Sequence, residues 1–277
     1  LRMPDKAQET PVPTLRESVH GGTYFRTFGA ANSETDPVVL IHGVGLDHAM
    51  WTAQVAALET HFQVITYDML GHGQSAQPPD VRHLIDFVRQ LDQLLMNLNV
   101  SRAAIVGFSM GGMVAQAYAA AYPEKVAKLF LMNTVFRRSD EQRAGVLGRY
   151  EQSAAGEIEN LAEAALGRWF SNAFRETDPA AVNAVRRRML SNDPEGYLKA
   201  YKVFATSDEE AAEGLAGVSC PALVMTGAHD TGSTPAMAEG LAAALPDARP
   251  LILSGLSHMA PIEGADQVNR ALLDFLA

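Results

Sequence analysis

A serine at position 109 lies inside a glycine-rich turn, in a context typical of an activated nucleophile. The segment Gly107 to Gly111, G-F-S-M-G, fits the pattern G-x-S-x-G. Apolar residues precede it, and small and apolar residues at helical spacing follow it, which predicts a sharp strand-to-helix turn. Glycines on either side of the serine let neighbouring backbone approach without a Cβ clash. The pattern therefore predicts that Ser109 Oγ is presented at a sheet edge, beside the free N–H groups of a helix start.

A serine hydroxyl is a weak nucleophile and needs an adjacent base. The chain has eight histidines, and His258 lies in the segment S-G-L-S-H-M-A-P after the last predicted strand. Loops that follow parallel strands converge on one edge of the sheet, so His258 falls at the same edge as Ser109. His42 in H-G-V-G has a better interpretation as a brace for its own loop. We therefore predict His258 as the general base.

The imidazole needs a carboxylate that fixes its tautomer and stabilises its cation. Asp230 ends the run L-V-M-T-G-A-H-D, directly after the preceding strand. The other position that could supply this acid, after the strand ending near residue 133, holds Asn133 and Thr134. Asp68 in a turn and Glu263 just past the histidine are weaker alternatives. The predicted catalytic residues are thus Ser109 as nucleophile, His258 as base and Asp230 as acid.

These side chains must be positioned by a sheet, and the hydrophobic pattern predicts one. Strands are predicted at 22–28, 37–42, 62–68, 103–108, 126–133, 221–230 and 248–255, and helices at 49–60, 82–97, 110–121, 235–245 and 264–276. Strands that alternate with helices indicate a parallel sheet covered on both faces, whose central strands are near-continuous apolar runs. The fold class is therefore α/β, with helices on both sides of a mostly parallel central sheet.

The alternation stops at about residue 135. Residues 136–218 are helical in pattern, charged and free of strand-like runs, so we predict a core of residues 1–135 and 219–277 with a helical lid inserted at 136–218. Five of the arginines in this lid are candidates for binding a substrate carboxylate, because a guanidinium binds a carboxylate with two parallel hydrogen bonds. They are Arg137, Arg138, Arg143, Arg149 and Arg168.

Composition narrows the class of partner. The 277 residues carry a net charge of −10, which argues against a nucleic-acid partner. No apolar stretch of about eighteen residues occurs, so no membrane span is expected. The single cysteine, Cys220, is expected to be a buried structural thiol. The N-terminal segment is polar and proline-rich rather than a signal peptide, so a cytoplasmic location is expected.

No cofactor is expected either. The sequence has neither G-x-G-x-x-G nor a P-loop, and no cluster of His, Asp or Glu has the spacing of metal ligands. We therefore expect no metal and no nucleotide, a small-molecule substrate, and either a monomer or a homodimer.

Five motifs in order resemble those of the α/β-hydrolases: V-L-I-H-G-V-G-L-D-H-A-M-W, Y-D-M-L-G-H-G-Q-S, V-G-F-S-M-G-G, G-A-H-D and L-S-H-M. Within that superfamily the chain is similar to the 3-oxoadipate enol-lactonases, in H-G-V-G-L-D-H-A-M-W, in G-F-S-M-G-G-M-V-A-Q-A-Y-A-A-A-Y-P-E-K-V and in lid segments around R-W-F-S-N-A-F. The resemblance implies an oxyanion hole formed by the backbone N–H groups of Val44 and Met110.

The resemblance implies a serine hydrolase that cleaves a small carboxylate-bearing ester, lactone or related acyl compound. Substrate contacts are expected from Trp51, Phe108, Trp169, Arg137 and Arg138. A C–C bond or amide hydrolase and a cofactor-free perhydrolase remain alternatives, although Met259 follows the histidine where C–C hydrolases typically have tryptophan. A small-ligand receptor of the same fold is the non-enzymatic alternative.

Overall fold

The computed structural model of the protein describes residues 16–30, 35–77, 80 and 83–277. Within these residues the strands are β1 Arg16–His20, β2 Thr23–Phe28, β3 Val38–Ile41, β4 Val64–Tyr67, β5 Ala103–Phe108, β6 Val126–Met132, β7 Ala222–Gly227 and β8 Ala248–Leu253. The polar N-terminal segment and the predicted start of the helix at residue 82 lie outside the described residues.

The helices are α1 Thr52–Leu58, α2 Leu84–Asn97, α3 Met110–Ala121, α4 Asp140–Ala154, α5 Ile158–Trp169, α6 Asn172–Thr177, α7 Pro179–Leu190, α8 Pro194–Thr206, α9 Asp208–Ala211, α10 Pro235–Ala244, α11 Ala260–Glu263 and α12 Ala265–Leu276. A 3-10 turn, His48–Trp51, precedes α1. No helix in the described part of the chain is both long and apolar enough to cross a membrane.

The strands form one sheet in the order β1-β2-β4-β3-β5-β6-β7-β8. From β4 to β8 every neighbouring pair is parallel, whereas β2 pairs antiparallel with β4 and with β1. This confirms the predicted fold class of a mostly parallel sheet. Strand β1 was missed by the sequence pattern because all five of its residues are exposed and show no apolar periodicity.

Alternate residues of the central strands pack on opposite faces of the sheet. Val39 and Ile41 of β3 belong to a core formed with α2, α3 and α10, whereas Val38 and Leu40 belong to a core formed with α1 and α12. This follows from the two-residue period of a strand. Because both faces are buried, the strand must be apolar throughout, and this is the pattern that made the sequence prediction possible.

Residues 136–218, here called the insert, contain α4 to α9 and no strand. Its helices begin at ordinary capping residues: the Ser139 side chain accepts a hydrogen bond from Gln142 N, and Asp193 precedes Pro194 and accepts from Gly196 N. The insert begins after β6 and ends before β7, and these two strands are neighbours in the sheet, next to the edge strand β8.

Candidate active site

Ser109 occupies a strained turn between β5 and α3. Its backbone has φ 54° and ψ −116°, a conformation that non-glycine residues rarely adopt. The turn is possible because a Cβ on Gly107 would lie 2.4 Å from the Gly111 carbonyl oxygen, and one on Gly111 would lie 2.3 Å from the Ile41 carbonyl oxygen. The two glycines therefore allow the helix start to press against both β5 and β3, which leaves the Ser109 side chain at the sheet edge.

His258 and Asp230 form a buried pair at the same edge. The distance from His258 Nδ1 to Asp230 Oδ2 is 2.7 Å, and the two residues are 7% and 3% exposed. If Nδ1–H donates to the carboxylate, Nε2 carries the free lone pair that a general base needs. Asp230 and His258 border, together with Ser109, a cavity of about 480 Å³. The Ser109 hydroxyl forms no hydrogen bond with His258 among the described residues; such contacts are often looser without substrate.

The Asp230 carboxylate is held by further donors. Gly232 N and Ser233 N each donate to Oδ1 at 2.9 Å, and Asn133 Nδ2 donates to Oδ2 at 2.9 Å. Burial raises the pKa of Asp230, but the attraction and hydrogen bond of His258, with these donors, outweigh it and leave the pKa below its ordinary value. Asp230 is therefore ionised at neutral pH.

Two backbone N–H groups near Ser109 have no protein acceptor among the described residues. They belong to Val44, which borders the cavity, and to Met110, the first residue of α3. The loop of Val44 approaches the nucleophile turn closely, because a Cβ on Gly43 would lie 3.2 Å from Ser109 Cβ. The structure thus places both predicted oxyanion donors beside the serine turn.

The loop that carries Val44 is braced by two buried neutral histidines. His42 Nδ1 donates to Gly43 O at 2.8 Å and Nε2 accepts from Met69 N at 2.9 Å, while His72 Nε2 accepts from Gly45 N at 3.0 Å. Burial, with the neighbouring His72 charge, lowers the pKa of His42 to about 3, and burial lowers that of His72 to about 4. Neither imidazole is placed to act as a base on Ser109.

Asp68, the alternative acid, is fully buried and is bound elsewhere. It accepts from His48 N at 2.8 Å, from His48 Nδ1 at 2.7 Å and from Gln74 N at 2.8 Å. Although burial raises the pKa of Asp68, the hydrogen bond to His48 and the other donors leave it lowered. Asp68 fixes its own turn and does not border the cavity.

Two of the expected substrate contacts lie in the core instead. Trp51 is 0% exposed and Phe108 is 1% exposed, and their rings meet edge to face with centroids 6.3 Å apart. Neither borders the cavity, so this expectation is corrected. Phe108 lies beneath the base, with its ring centroid 5.1 Å from that of His258. Trp169 does border the cavity, and its ring lies 5.5 Å from the His258 ring.

The two arginines predicted as substrate contacts are engaged by acids of the insert. Arg137 is 61% exposed, pairs with Glu209 at 3.9 Å and does not border the cavity, which corrects that prediction. Arg138 borders the cavity, but its Nη1 donates to Phe204 O at 2.9 Å and lies 3.3 Å from Asp208 Oδ1. Arg143 binds the same Asp208 carboxylate at 2.6 Å. This cluster joins the start of the insert to α8 and α9 near its end.

Two residues position the site in ways that the sequence did not predict, although Glu263 was considered above as a weaker alternative acid. Glu263 of α11 accepts hydrogen bonds from Ser171 N at 3.1 Å and from Ser257 N at 3.4 Å, so it joins the insert to the loop of His258. Asn192 Nδ2 donates to Gly45 O at 2.8 Å and joins the insert to the oxyanion loop. Within the described residues no cluster of three or more His, Cys, Asp or Glu side chains could hold a metal ion.

Comparison with known proteins identifies the family to which this mostly parallel sheet and its covering helices belong. The model of the alpha/beta hydrolase fold family matches residues 36–265. The chain therefore belongs to the alpha/beta hydrolase fold family.

Individual relatives are hydrolases. The chain is 31% identical over 243 residues to an (E)-2-((N-methylformamido)methylene)succinate hydrolase of Acinetobacter baylyi, covering 88% of this chain and 91% of that protein. It is 26% identical to 3-oxoadipate enol-lactonase 2 of the same organism over 248 residues, 90% of each chain. The crystal structure of the enol-lactonase from Burkholderia xenovorans superposes with a TM-score of 0.85 at 31% identity, covering 94% of this chain and 99% of the other. The chain is thus a hydrolytic enzyme of this family.

Proposed function

We propose that the protein hydrolyses a small, carboxylate-bearing ester or lactone with Ser109 as nucleophile, His258 as base and Asp230 as the orienting acid. The observation that carries the proposal is the buried 2.7 Å contact between His258 and Asp230 at the cavity that Ser109 borders. An imidazole whose Nδ1 faces the carboxylate directs Nε2, on the other side of the ring, away from Asp230.

In the proposed mechanism, Ser109 Oγ attacks the acyl carbon while His258 Nε2 takes the hydroxyl proton. The carbonyl oxygen becomes negative and accepts hydrogen bonds from the N–H groups of Val44 and Met110, which costs no reorganisation because both donors are backbone groups fixed in advance. His258 then gives its proton to the leaving oxygen. A water molecule, deprotonated by the same nitrogen, attacks the acyl-enzyme, and the bond to Ser109 Oγ breaks as His258 returns the proton to that oxygen and the acid is released.

Charge at the cavity supports an anionic substrate. Three arginines border it, Arg138, Arg149 and Arg168, against the carboxylates of Glu141 and Asp230. Because Arg138 is paired with Asp208, the excess positive charge at the cavity comes from Arg149 and Arg168. An esterase from Thermogutta terrifontis, similar at 27% identity with a TM-score of 0.83 over 96% of this chain, was crystallised with malate bound. Enol-lactonases are also among the relatives, which favours an ester or lactone bond.

A nitrogen-bearing substrate is the second candidate. The Acinetobacter baylyi relative at 31% identity is named for a formamido-substituted succinate. A substrate panel that includes a dicarboxylate lactone and a 2-(formamidomethylene)succinate separates the two: the favoured reaction predicts a higher kcat/KM for the lactone.

The experiment that tests the proposal is pre-steady-state hydrolysis of p-nitrophenyl acetate and p-nitrophenyl hemisuccinate. The wild-type protein is expected to show a burst of p-nitrophenol followed by turnover. Ser109→Ala is expected to fold normally and to lose about 10⁴-fold or more in kcat, as loss of one member of a triad does. If the alanine variant keeps a tenth of the wild-type turnover, Ser109 is not the nucleophile. Stable binding of the esters without release would identify a receptor instead.

A further inference from the structure

Two of the three arginines at the cavity have no acidic partner. Arg149 of α4 and Arg168 of α5 border the cavity with Ser109 and His258. Neither guanidinium forms an ion pair or a hydrogen bond with any residue in the described ranges. The other cavity-side arginines near the start of the insert have acidic partners, since Arg138 and Arg143 share Asp208 and Arg143 also contacts Glu209.

The carboxylates that border the same cavity do not neutralise this pair. Asp230 is bound by His258 at 2.7 Å. Glu141 lies eight residues before Arg149 on α4, which corresponds to about 12 Å along the helix axis. Arg149 and Arg168 therefore present two uncompensated positive charges to the cavity.

The two charges are close enough to affect each other. Burial lowers the pKa of Arg168, and the charge of Arg149 lowers it further, whereas Tyr201 acts in the opposite direction. Tyr197 and Tyr201, which also border the cavity, stack on each other with centroids 5.5 Å apart and form an aromatic wall. Two like charges beside a partly desolvated wall repel each other more strongly than in bulk water.

An arginine elsewhere in the insert, Arg187, serves as a comparison for Arg149 and Arg168. Arg187 of α7 is exposed, has no acidic partner among the described residues and does not border the cavity. Its charge needs no compensation because water surrounds it. Arg168 is exposed as well and Arg149 is half-buried, so what distinguishes these two from Arg187 is that both border the recess that contains the proposed nucleophile.

We propose that Arg149 and Arg168 together bind a dianion, so that the substrate is a dicarboxylate whose scissile acyl group lies at Ser109. The proposal rests on the proposed function and makes it more specific. A monoanion leaves one positive charge uncompensated, whereas two carboxylates satisfy both guanidinium groups through paired hydrogen bonds.

Binding is tested apart from hydrolysis by calorimetric titration of Ser109→Ala with succinate and with monomethyl succinate at neutral pH. Succinate is expected to bind about tenfold more tightly, which is the value of one additional charge-assisted contact. Adding Arg149→Gln or Arg168→Gln is expected to weaken succinate binding about tenfold and to abolish the difference between the two ligands. Arg187→Gln, with the same change of charge in the same insert, is the matched control and is expected to bind both ligands as Ser109→Ala does.

Lysine variants distinguish the loss of a binding contact from a loss of binding caused by a disturbed structure. Arg149→Lys and Arg168→Lys keep the positive charge but cannot form the two parallel hydrogen bonds of a guanidinium. These variants are therefore expected to bind succinate more weakly and still to prefer it over monomethyl succinate. The proposal is overturned if both glutamine variants bind succinate as the Arg187→Gln control does, or if succinate and monomethyl succinate bind Ser109→Ala equally. Loss of ester hydrolysis with the succinate preference intact would instead refute the proposed reaction and support the dianion site.

Discussion

The carboxylate of Asp230 receives hydrogen bonds from a base, an amide and two backbone N–H groups, and this arrangement fixes both its position and its charge. Asn133 Nδ2 is one of these donors, at 2.9 Å, and it also donates to Ser257 O at 3.3 Å in the loop of the base. The residue that excluded a carboxylate from the alternative acid position thus has a function of its own: it joins the acid to the base loop.

Replacing Asp230 with asparagine is expected to lower kcat by about 10⁴-fold, because the amide no longer holds His258 in the required tautomer. Thermal unfolding should change little by comparison. Asp68→Asn is the matched control: its carboxylate binds His48 and Gln74 outside the cavity, so this variant should lose stability and retain most of its kcat. The opposite pattern in Tm and kcat would assign the acid to Asp68.

At the scale of elements, the β5–α3 turn depends on glycines at fixed positions. Gly111→Ala is expected to destabilise the protein by about 3 kcal/mol or to prevent folding, because its Cβ would lie within 2.3 Å of the Ile41 carbonyl oxygen and 2.5 Å of the His42 carbonyl oxygen. Backbone cannot move aside as a flexible side chain can.

Gly148→Ala is the control for this prediction. Gly148 lies inside α4, and a Cβ there would meet nothing within 4 Å. Alanine should therefore stabilise the helix by up to about 1 kcal/mol. Urea unfolding of both variants measures the difference, and equal stability of the two would show that the turn tolerates a Cβ.

At the scale of the whole molecule, the insert is tied to the oxyanion loop. Arg188 at the end of α7 pairs with Asp47 at 2.5 Å, and Asn192 Nδ2 donates to Gly45 O at 2.8 Å. Since the loop of Val44 also rests on His72 from the core side, it is held from both sides. Movement of the insert would therefore displace one of the proposed oxyanion donors.

Asn192→Ala is expected to lower kcat about 2- to 10-fold, the value of one hydrogen bond, because Val44 is then less firmly placed. The measurement is kcat and KM on p-nitrophenyl acetate. Asn172→Ala removes an exposed asparagine whose side chain accepts a hydrogen bond from Arg175 of the same helix, and it should leave kcat unchanged. Equal effects of the two substitutions would show that the tie to the insert does not position the loop.

The buried neutral histidines make stability depend on pH. In the unfolded chain a histidine binds a proton near pH 6.5, but folding lowers the pKa of His42 to about 3 and that of His72 to about 4. As the pH falls below about 6.5, these histidines therefore bind protons in the unfolded state but remain neutral in the folded state. Each histidine then lowers the free energy of unfolding by up to about 1.4 kcal/mol per pH unit. Asp230, with its lowered pKa, adds to the loss only below about pH 4.

Urea unfolding at neutral pH and at about pH 5 measures this dependence. The free energy of unfolding is expected to fall with pH in the wild-type protein and to fall less steeply in His72→Gln. His61→Gln, at an exposed position, should follow the wild-type slope. A His72→Gln slope equal to that of the wild type would contradict a neutral buried His72.

The sequence by itself determined the sheet and the order of the site residues. Strands β3, β5 and β7 are buried on both faces, so they had to be apolar runs, and their period distinguished them from the helices. The chemistry of a serine turn required glycines at positions 107 and 111, and the topology of parallel strands required the acid and base loops at the same edge. Strand β1 was not predicted because an exposed edge strand has no apolar face and therefore no apolar periodicity.

Only the tertiary structure decided which side chains reach the cavity. Two residues that are adjacent in the sequence have different environments in the structure. Arg137 points to solvent beside Glu209, whereas Arg138 is buried against Asp208. Arg149 and Arg168, nineteen residues apart on two helices, came to border one recess with Ser109. A helical pattern reports which face is apolar but not which partner a charged side chain finds, because that partner is set by how the insert packs on the core.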